Sequence, residues 1–443
     1  MEARDLIVTP ILLFIVFALA YFIRPRVTDA VNRVYFMPAL TVKIIGALAV
    51  GIIYQFYYSG GDTYNYHTHG SRHIWEAFMD SPMKGIRLLV NDGQNYYDVY
   101  RYASKIIFFT DPQSYAIVKI AAVFDLFTFS SYSSTAILFA LVSFVGMWMF
   151  FLTFYEQYPD LHKWLATASF FIPSVFFWGS GLLKDTITMG CLGVATYQVY
   201  RIFIKKKFKI RHLFLLALSL YGMYSIKIYI LLTFLPAVIV WVFLANLDSI
   251  RSPVLRIMLA PFMVSASIAL GYFAMVKAGE DNAKYSLKNV AMTAKITAYD
   301  IGYYTGRDAG SGYSLGELDG TFGSMFSLAP QAINVSLFRP YLWEVKNPLM
   351  LLSALESFLL LLFCIYIIIK INARLFSAVN NPNVLFALIF SVAFAFAVGV
   401  STFNFGTLVR YKIPLLPFFL VALILIYYHS KRDKKLAEFD VTE

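Results

Sequence analysis

Apolar runs long enough to cross a membrane recur along almost the whole of this 443-residue chain. A helix rises about 1.5 Å per residue, so roughly 20 residues cross about 30 Å of hydrocarbon. Such runs lie near 6–23, 36–57, 132–154, 164–179, 186–204, 213–225, 227–245, 254–276, 348–369, 383–401 and 411–429. Apolar residues make up 59% of the chain and charged residues only 14%, too few to cover a soluble fold of this length. Hydrocarbon admits only helices or closed barrels, and the alternation of a barrel strand is absent, so the spans are helices. The expected fold class is all-α integral membrane. About 11 transmembrane helices form one polytopic domain over 1–443, with two large extracytoplasmic loops carrying short juxtamembrane helices.

Charge gives the orientation. The net charge of +11 would suit nucleic acid if it formed one patch. Instead it falls in groups beside the spans: Arg24, Arg26 and Arg33; Lys205, Lys206, Lys207, Lys209 and Arg211; Arg251 and Arg256; Lys370 and Arg374; Lys431, Arg432, Lys434 and Lys435. With eleven spans all five groups lie on one side, which the positive-inside rule makes cytoplasmic. No nucleic-acid partner is expected. The N-terminus is then outside, and so are the loops at about 58–131 and 277–347. Residues 113–129 are apolar but interrupted by Lys119 and Asp125, and are assigned to a helix on the outer membrane face. The sixth and seventh spans are short, with Lys227 at their junction, and read as a partial hairpin. Asp5 precedes the first run where a cleaved leader would be basic, so no signal peptide is expected. Cys191 and Cys364 lie within apolar runs, which excludes a disulfide framework or a cysteine metal site. No internal repeat is visible.

Three polar segments interrupt the apolar pattern. The densest is Gly60-Gly61-Asp62-Thr63-Tyr64-Asn65-Tyr66-His67-Thr68-His69-Gly70, where the second span leaves the membrane. A carboxylate fixed at a helix end beneath a loop is well placed as a general base. Tyr64 and Tyr66 can stack on a sugar or an isoprenoid. The plainer reading is a glycine turn with Asp62 capping the next helix. His69 and His73 are four apart and share a helix face; with His67 and Glu76 they raise a divalent metal as a cofactor. Hydrogen bonding to substrate or backbone is the commoner role for such histidines. No other cofactor is implied.

The second segment, Phe176-Phe177-Trp178-Gly179-Ser180-Gly181-Leu182-Leu183-Lys184-Asp185, puts a charged pair between two spans with almost no loop. Polar backbone at that depth is tolerated only inside protein or beside a wet cavity. Lys184 suits a lipid phosphate as a point charge; alternatively Lys184 and Asp185 neutralise each other. The third is Asn404-Phe405-Gly406-Thr407-Leu408-Val409-Arg410-Tyr411-Lys412-Ile413-Pro414, followed by Pro417. Arg410 and Lys412 open the last span from the outer side, where topology does not call for positive charge. A guanidinium there suits bidentate phosphate recognition; headgroup anchoring is the alternative. The loop 277–347 carries Glu280, Asp281, Asp300, Arg307, Asp308, Glu317, Asp319, Arg339 and Glu344. Most read as a solvated face. Arg339-Pro340-Tyr341-Leu342-Trp343 is the best placed to meet substrate.

Together the three segments resemble the GT-C superfamily of polytopic glycosyltransferases. Asp62 matches the family's catalytic acid, which sits in the first large outer loop just past a membrane helix. Arg410-Tyr411…Pro414…Pro417 looks like its Arg-Tyr…Pro pattern, whose basic residue holds the carrier phosphate. Lys184-Asp185 looks like a polar hairpin of bacterial relatives. The resemblance implies sugar transfer from a polyprenyl-phosphate or -diphosphate donor to a glycan, lipid or protein acceptor, with inversion. It implies a bacterial cytoplasmic membrane with the site facing the periplasm. There is one departure: in the family the acidic loop follows the first span, whereas Asp62 follows the second. Other readings stay open. An O-antigen-polymerase or ligase-like enzyme shares the architecture, but ligases use a histidine in the late outer loop and 277–347 holds none. A transporter or flippase of lipid-linked sugar would use Lys184, Lys227 or Glu356 within the membrane. A membrane scaffold gives no reason for Asp62, Lys184 and Arg410 to share a face.

Overall fold

The computed structural model describes residues 2–247, 289–303, 310–371 and 379–440, with side chains up to Arg432, plus Leu259, Ser265, Ala269 and Val276. Among the described residues about 80% are helical and none forms a strand. Eight helices among them are long and apolar enough to cross a membrane: Ala3–Val27, Arg33–Phe56, Tyr132–Tyr155, Lys184–Ile204, Ile210–Asn246, Pro348–Ile371, Pro382–Val400 and Leu415–Arg432. The protein is a membrane-embedded, multi-pass helical protein. The expected span over 254–276 lies outside the described residues, as do Arg251, Arg256, Glu280, Asp281, Arg307, Asp308 and Arg374.

The chain divides into two compact units, Met1–Tyr200 with Phe208–Lys227, and Arg201–Lys207 with Ile228–Glu443. In the first, α1 (Ala3–Val27) exposes Leu6, Phe14 and Phe22, the apolar surface that a lipid-facing helix presents. Its start is tied down where buried Asp5 accepts from the Ser131 hydroxyl at 2.7 Å and the Ser133 amide at 3.2 Å. The helix α2 (Arg33–Phe56) ends at Ser59-Gly60-Gly61, which all take positive φ. A Cβ at Gly61 would press on the Tyr54 ring, so the chain reverses tightly there.

Residues 58–131 are a folded cap rather than a loose loop. They hold α3 (Asp62–Tyr66), a π-turn (His67–Ser71), α4 (Arg72–Asp80), α5 (Pro82–Val90), α6 (Tyr100–Ala103) and α7 (Pro112–Thr128). The start of α7 follows from its sequence: Asp111 caps the Gln113 amide and Pro112 takes the first helical position, where no amide is needed. The sequence placed α7 flat against the membrane face. One face of it packs into the unit, burying Tyr115, Ile117, Val118, Ala121, Ala122 and Asp125.

Beneath the cap, α8 (Tyr132–Tyr155) crosses α11 (Lys184–Val199) at glycines. A Cβ on Gly146 of α8 would overlap the backbone of Gly190, and one on Gly193 the backbone of Gly146, so the two helices touch backbone to backbone. The run read as a span over 164–179 is two short helices, α9 (His162–Phe170) and α10 (Pro173–Trp178). Pro173 lacks an amide and drives Ile172 to an extended φ/ψ, which ends the first of them. The expected sixth and seventh spans form one element, α12 (Ile210–Asn246), broken at Lys227, whose backbone is non-helical.

The second unit continues from Ile228 through α13 (Val290–Ile301), α14 (Phe322–Ser327), α15 (Ala329–Phe338), a short turn at Leu342–Glu344, α16 (Pro348–Ile371), α17 (Pro382–Val400), α18 (Phe405–Tyr411) and α19 (Leu415–Asp440). Asn381 caps α17 and Asn404 caps α18. Trp241 stacks on Phe386 at 4.2 Å and donates to the Asn383 side chain at 2.8 Å. Gly399 of α17 lies against the backbone of Ala332 in α15.

Candidate functional site

Asp62 is the first residue of α3, directly after the Gly60-Gly61 turn, and is half-buried. Its neighbours form a rigid support. The buried Thr63 hydroxyl bonds to the Tyr132 hydroxyl at 2.7 Å. Tyr64 stacks on Tyr132 at 4.5 Å and donates to the Gly51 carbonyl at 3.2 Å. Burial pushes the Tyr64 hydroxyl up to about 12, so it stays a donor at neutral pH. Gly51 itself packs against the Tyr132 ring. Tyr66, expected to stack on a sugar, is buried against Phe108 with ring centroids 5.0 Å apart, and so has no open face to offer.

The histidines diverge. His67 and Asp125 are both fully buried, with Nε2 and Oδ1 3.5 Å apart, an ion-pair distance without a hydrogen bond. The Asp125 carboxylate accepts instead from Ser71 at 2.7 Å and Thr135 at 2.6 Å. His73 meets Glu76 at 3.0 Å, while His69 is exposed. Among the described residues no group of three or more His, Cys, Asp or Glu side chains is placed to hold a metal ion. Asp125 entered the sequence reading only as an interruption of an apolar run. It is the centre of this network, and its hydroxyl partners come from α8 and the π-turn.

The hairpin 179–185 is enclosed in protein. Gly179 through Leu183 are buried; Gly181 fits against Val50 and Gly46 against the Phe176 carbonyl, both on α2. Asp185 is paired with Lys227 at 2.5 Å, both nearly fully buried. Lys184 faces Asp111 of the cap at 3.6 Å and keeps 16% of its side chain exposed. Burial alone would raise the Asp111 carboxyl, but Ser114 and Lys184 hold it below the usual carboxylate range. A further cation was missed in the sequence: Lys43, 0% exposed within α2, donates to Ser143 at 2.9 Å and to the Gly179 carbonyl at 2.8 Å. A lysine inside a run of apolar residues is itself the signal that marks it.

Two of the sequence-selected segments therefore meet on one support. The Asp62 turn rests on Gly51 and Tyr54 of α2, and the Lys184 hairpin rests on Gly46 and Val50 of the same helix. Tyr54 also meets the ring of Trp178, the last residue of α10, at 6.3 Å.

Arg339, Arg410 and Lys412 belong to the second unit. Arg339 is held by Glu344, with Nε to the carboxylate at 3.0 and 3.1 Å, and lies over the rings of Tyr313 and Phe405 at 5.4 and 5.2 Å. Lys412 is 1% exposed and donates to Ser357 at 3.0 Å and the Arg339 carbonyl at 3.4 Å. Both were expected to meet a carrier phosphate, and both already hold partners within the protein. Arg410 is half-buried near the end of α18. Around them Gly312 pairs with Asn404 in a single antiparallel bridge. Compared with family models, curated proteins and solved structures, the chain matches none.

Proposed function

We propose that this protein is a membrane glycosyltransferase of the GT-C kind. It moves a sugar from a polyprenyl-phosphate or -diphosphate carrier to a glycan, lipid or protein acceptor at the outer face of the membrane. The observation that carries the reading is the support shared by an acid and a cation: the Asp62 turn and the Lys184 hairpin both rest on α2. Asp62 takes the proton of an acceptor hydroxyl. The acceptor oxygen bonds to the anomeric carbon as the carbon–oxygen bond to the carrier breaks. The electron pair leaves on the carrier phosphate, whose charge Lys184 stabilises. One displacement inverts the anomeric configuration.

The test is transfer from radiolabelled polyprenyl-phosphate sugar by the purified protein in nanodiscs. Label should pass from the lipid phase to acceptor or water. Asp62→Asn should lower transfer by roughly 100-fold or more, the usual weight of a general base. Full transfer by Asp62→Asn in donor-loaded membranes would refute the assignment. Arg410→Ala is assayed in parallel for the phosphate role its sequence context implies. One observation favours a flippase: α12 is broken at Lys227, beside a buried ion pair, as in helices that line transport sites. In the same nanodisc assay a flippase leaves every donor lipid intact, and in sealed vesicles it moves that lipid between leaflets.

A further inference from the structure

We infer that Lys43 is a positioning residue that fixes where the hairpin presents Lys184. The inference rests on the proposed role of Lys184 at the carrier phosphate, and adds the group that sets it. Lys43 is fully buried in the span α2, and its two hydrogen-bond partners are both neutral. An ammonium in that position is expensive when no carboxylate shares its charge.

The partner that matters is the carbonyl of Gly179. It ends α10, where helix carbonyls lack intrahelical donors and the dipole is negative. Lys43 and the Ser143 hydroxyl, at 2.6 Å, both donate to this one oxygen. The chain then makes only the turn 180–183, closed by Thr186 on the Gly181 carbonyl, before Lys184 opens α11. The far end of the turn is held by a second buried ammonium, Lys227 on Asp185. With both ends pinned, the backbone from which Lys184 extends is held in place. A misplacement of about 1 Å in a positioned group can cost roughly 100-fold in rate.

The experiment reads the hairpin directly. Lys184→Cys is introduced after Cys191→Ala and Cys364→Ala, and its rate of labelling by a charged methanethiosulfonate is measured in nanodiscs. Lys43→Met should change that rate at least several-fold, and the milder Ser143→Ala should change it in the same direction. Lys43→Arg should restore it. A buried control, Thr153→Cys in α8, should stay unlabelled throughout. Unchanged labelling at 184 would overturn the inference. So would labelling that rises equally at 153, since Lys43 would then merely hold the fold together. In transfer assays Lys43→Met should raise the donor KM and leave the acceptor KM unmoved; if both move alike, Lys43 does not act through the phosphate. If the labelling pattern is as expected but even the unaltered protein transfers no sugar, the pin stands and the glycosyltransferase reading falls.

Discussion

The pair Asp185–Lys227 allows a quantitative test of how this hairpin is held. Its N–O separation is 2.5 Å and both side chains are nearly fully buried. At an effective dielectric constant of about 20, unit charges about 3 Å apart attract by roughly 5 kcal/mol. Desolvating the two ions costs several kcal/mol each, so the pair as a whole contributes little net stability. Removing one partner is different, because it strands a buried charge, and the expected loss is about 3–5 kcal/mol. Lys227→Met and Asp185→Asn should therefore each lower stability sharply, while the double variant should recover most of the loss. The assay is denaturation of the detergent-solubilised protein, followed by fluorescence of its 6 tryptophans. The double-mutant cycle should give a coupling energy above about 2 kcal/mol, in the upper range for side chains in contact. Losses that simply add would refute the reasoning.

Two further outcomes follow from packing and from charge. Gly146→Leu should prevent the backbone contact of α8 with α11 and cost at least about 1–3 kcal/mol, measured by the same denaturation. Asp111→Asn should keep the cap of α7, since an asparagine oxygen still accepts from Gln113, but lose the acceptor for Ser114 and the contact with Lys184, by about 0.5–1 kcal/mol because the group is half-exposed. The folded Asp111 carboxyl titrates below its ordinary range. Its stabilisation is thus complete above the unfolded value of about 3.9 and is lost as pH falls through the lowered folded value. The stability difference between wild type and Asp111→Asn should hold from pH 7 to about pH 4 and vanish only in stronger acid; a difference that fades already between pH 7 and 5 would contradict the assignment.

Much of the fold was legible because hydrocarbon imposes one local rule, a long apolar helix. That rule finds α8, α16 and α17 to within two residues, and α1 and α2 to within four. It fails at 164–179, where the apolar run is continuous but Pro173 divides it. At α7 it gives no guidance on packing, because Lys119 and Asp125 interrupt the run. Asp125 is buried because hydroxyls from distant segments satisfy it. No local pattern announces Ser71 and Thr135 as its partners. The site divides in the same way. Asp62 and Lys184 stand out as polar residues at span ends, whereas Lys43 meets Gly179 across 136 positions of chain. The segment 404–414 was legible as polar, but not the commitment of Lys412 to Ser357 or of Arg339 to Glu344.

The distribution of ionic groups in the first unit is itself an argument about function. Where α8 and α11 need only to pack, glycines bring the backbones together and no charge is used. At the hairpin, a few residues further along the same α11, the ammonium groups of Lys43, Lys184 and Lys227 gather with the carboxylates of Asp111 and Asp185. A turn needing only to close could be built from apolar contacts, and replacing buried ion pairs by such contacts is often neutral or stabilising. The expense is therefore local to the turn and is not a general means of holding these helices. Lys184 faces Asp111 and Lys227 meets Asp185, while Lys43 donates to the neutral Ser143 hydroxyl and Gly179 carbonyl. That local concentration of ionic groups is what the proposed role of Lys184 at a negatively charged ligand calls for.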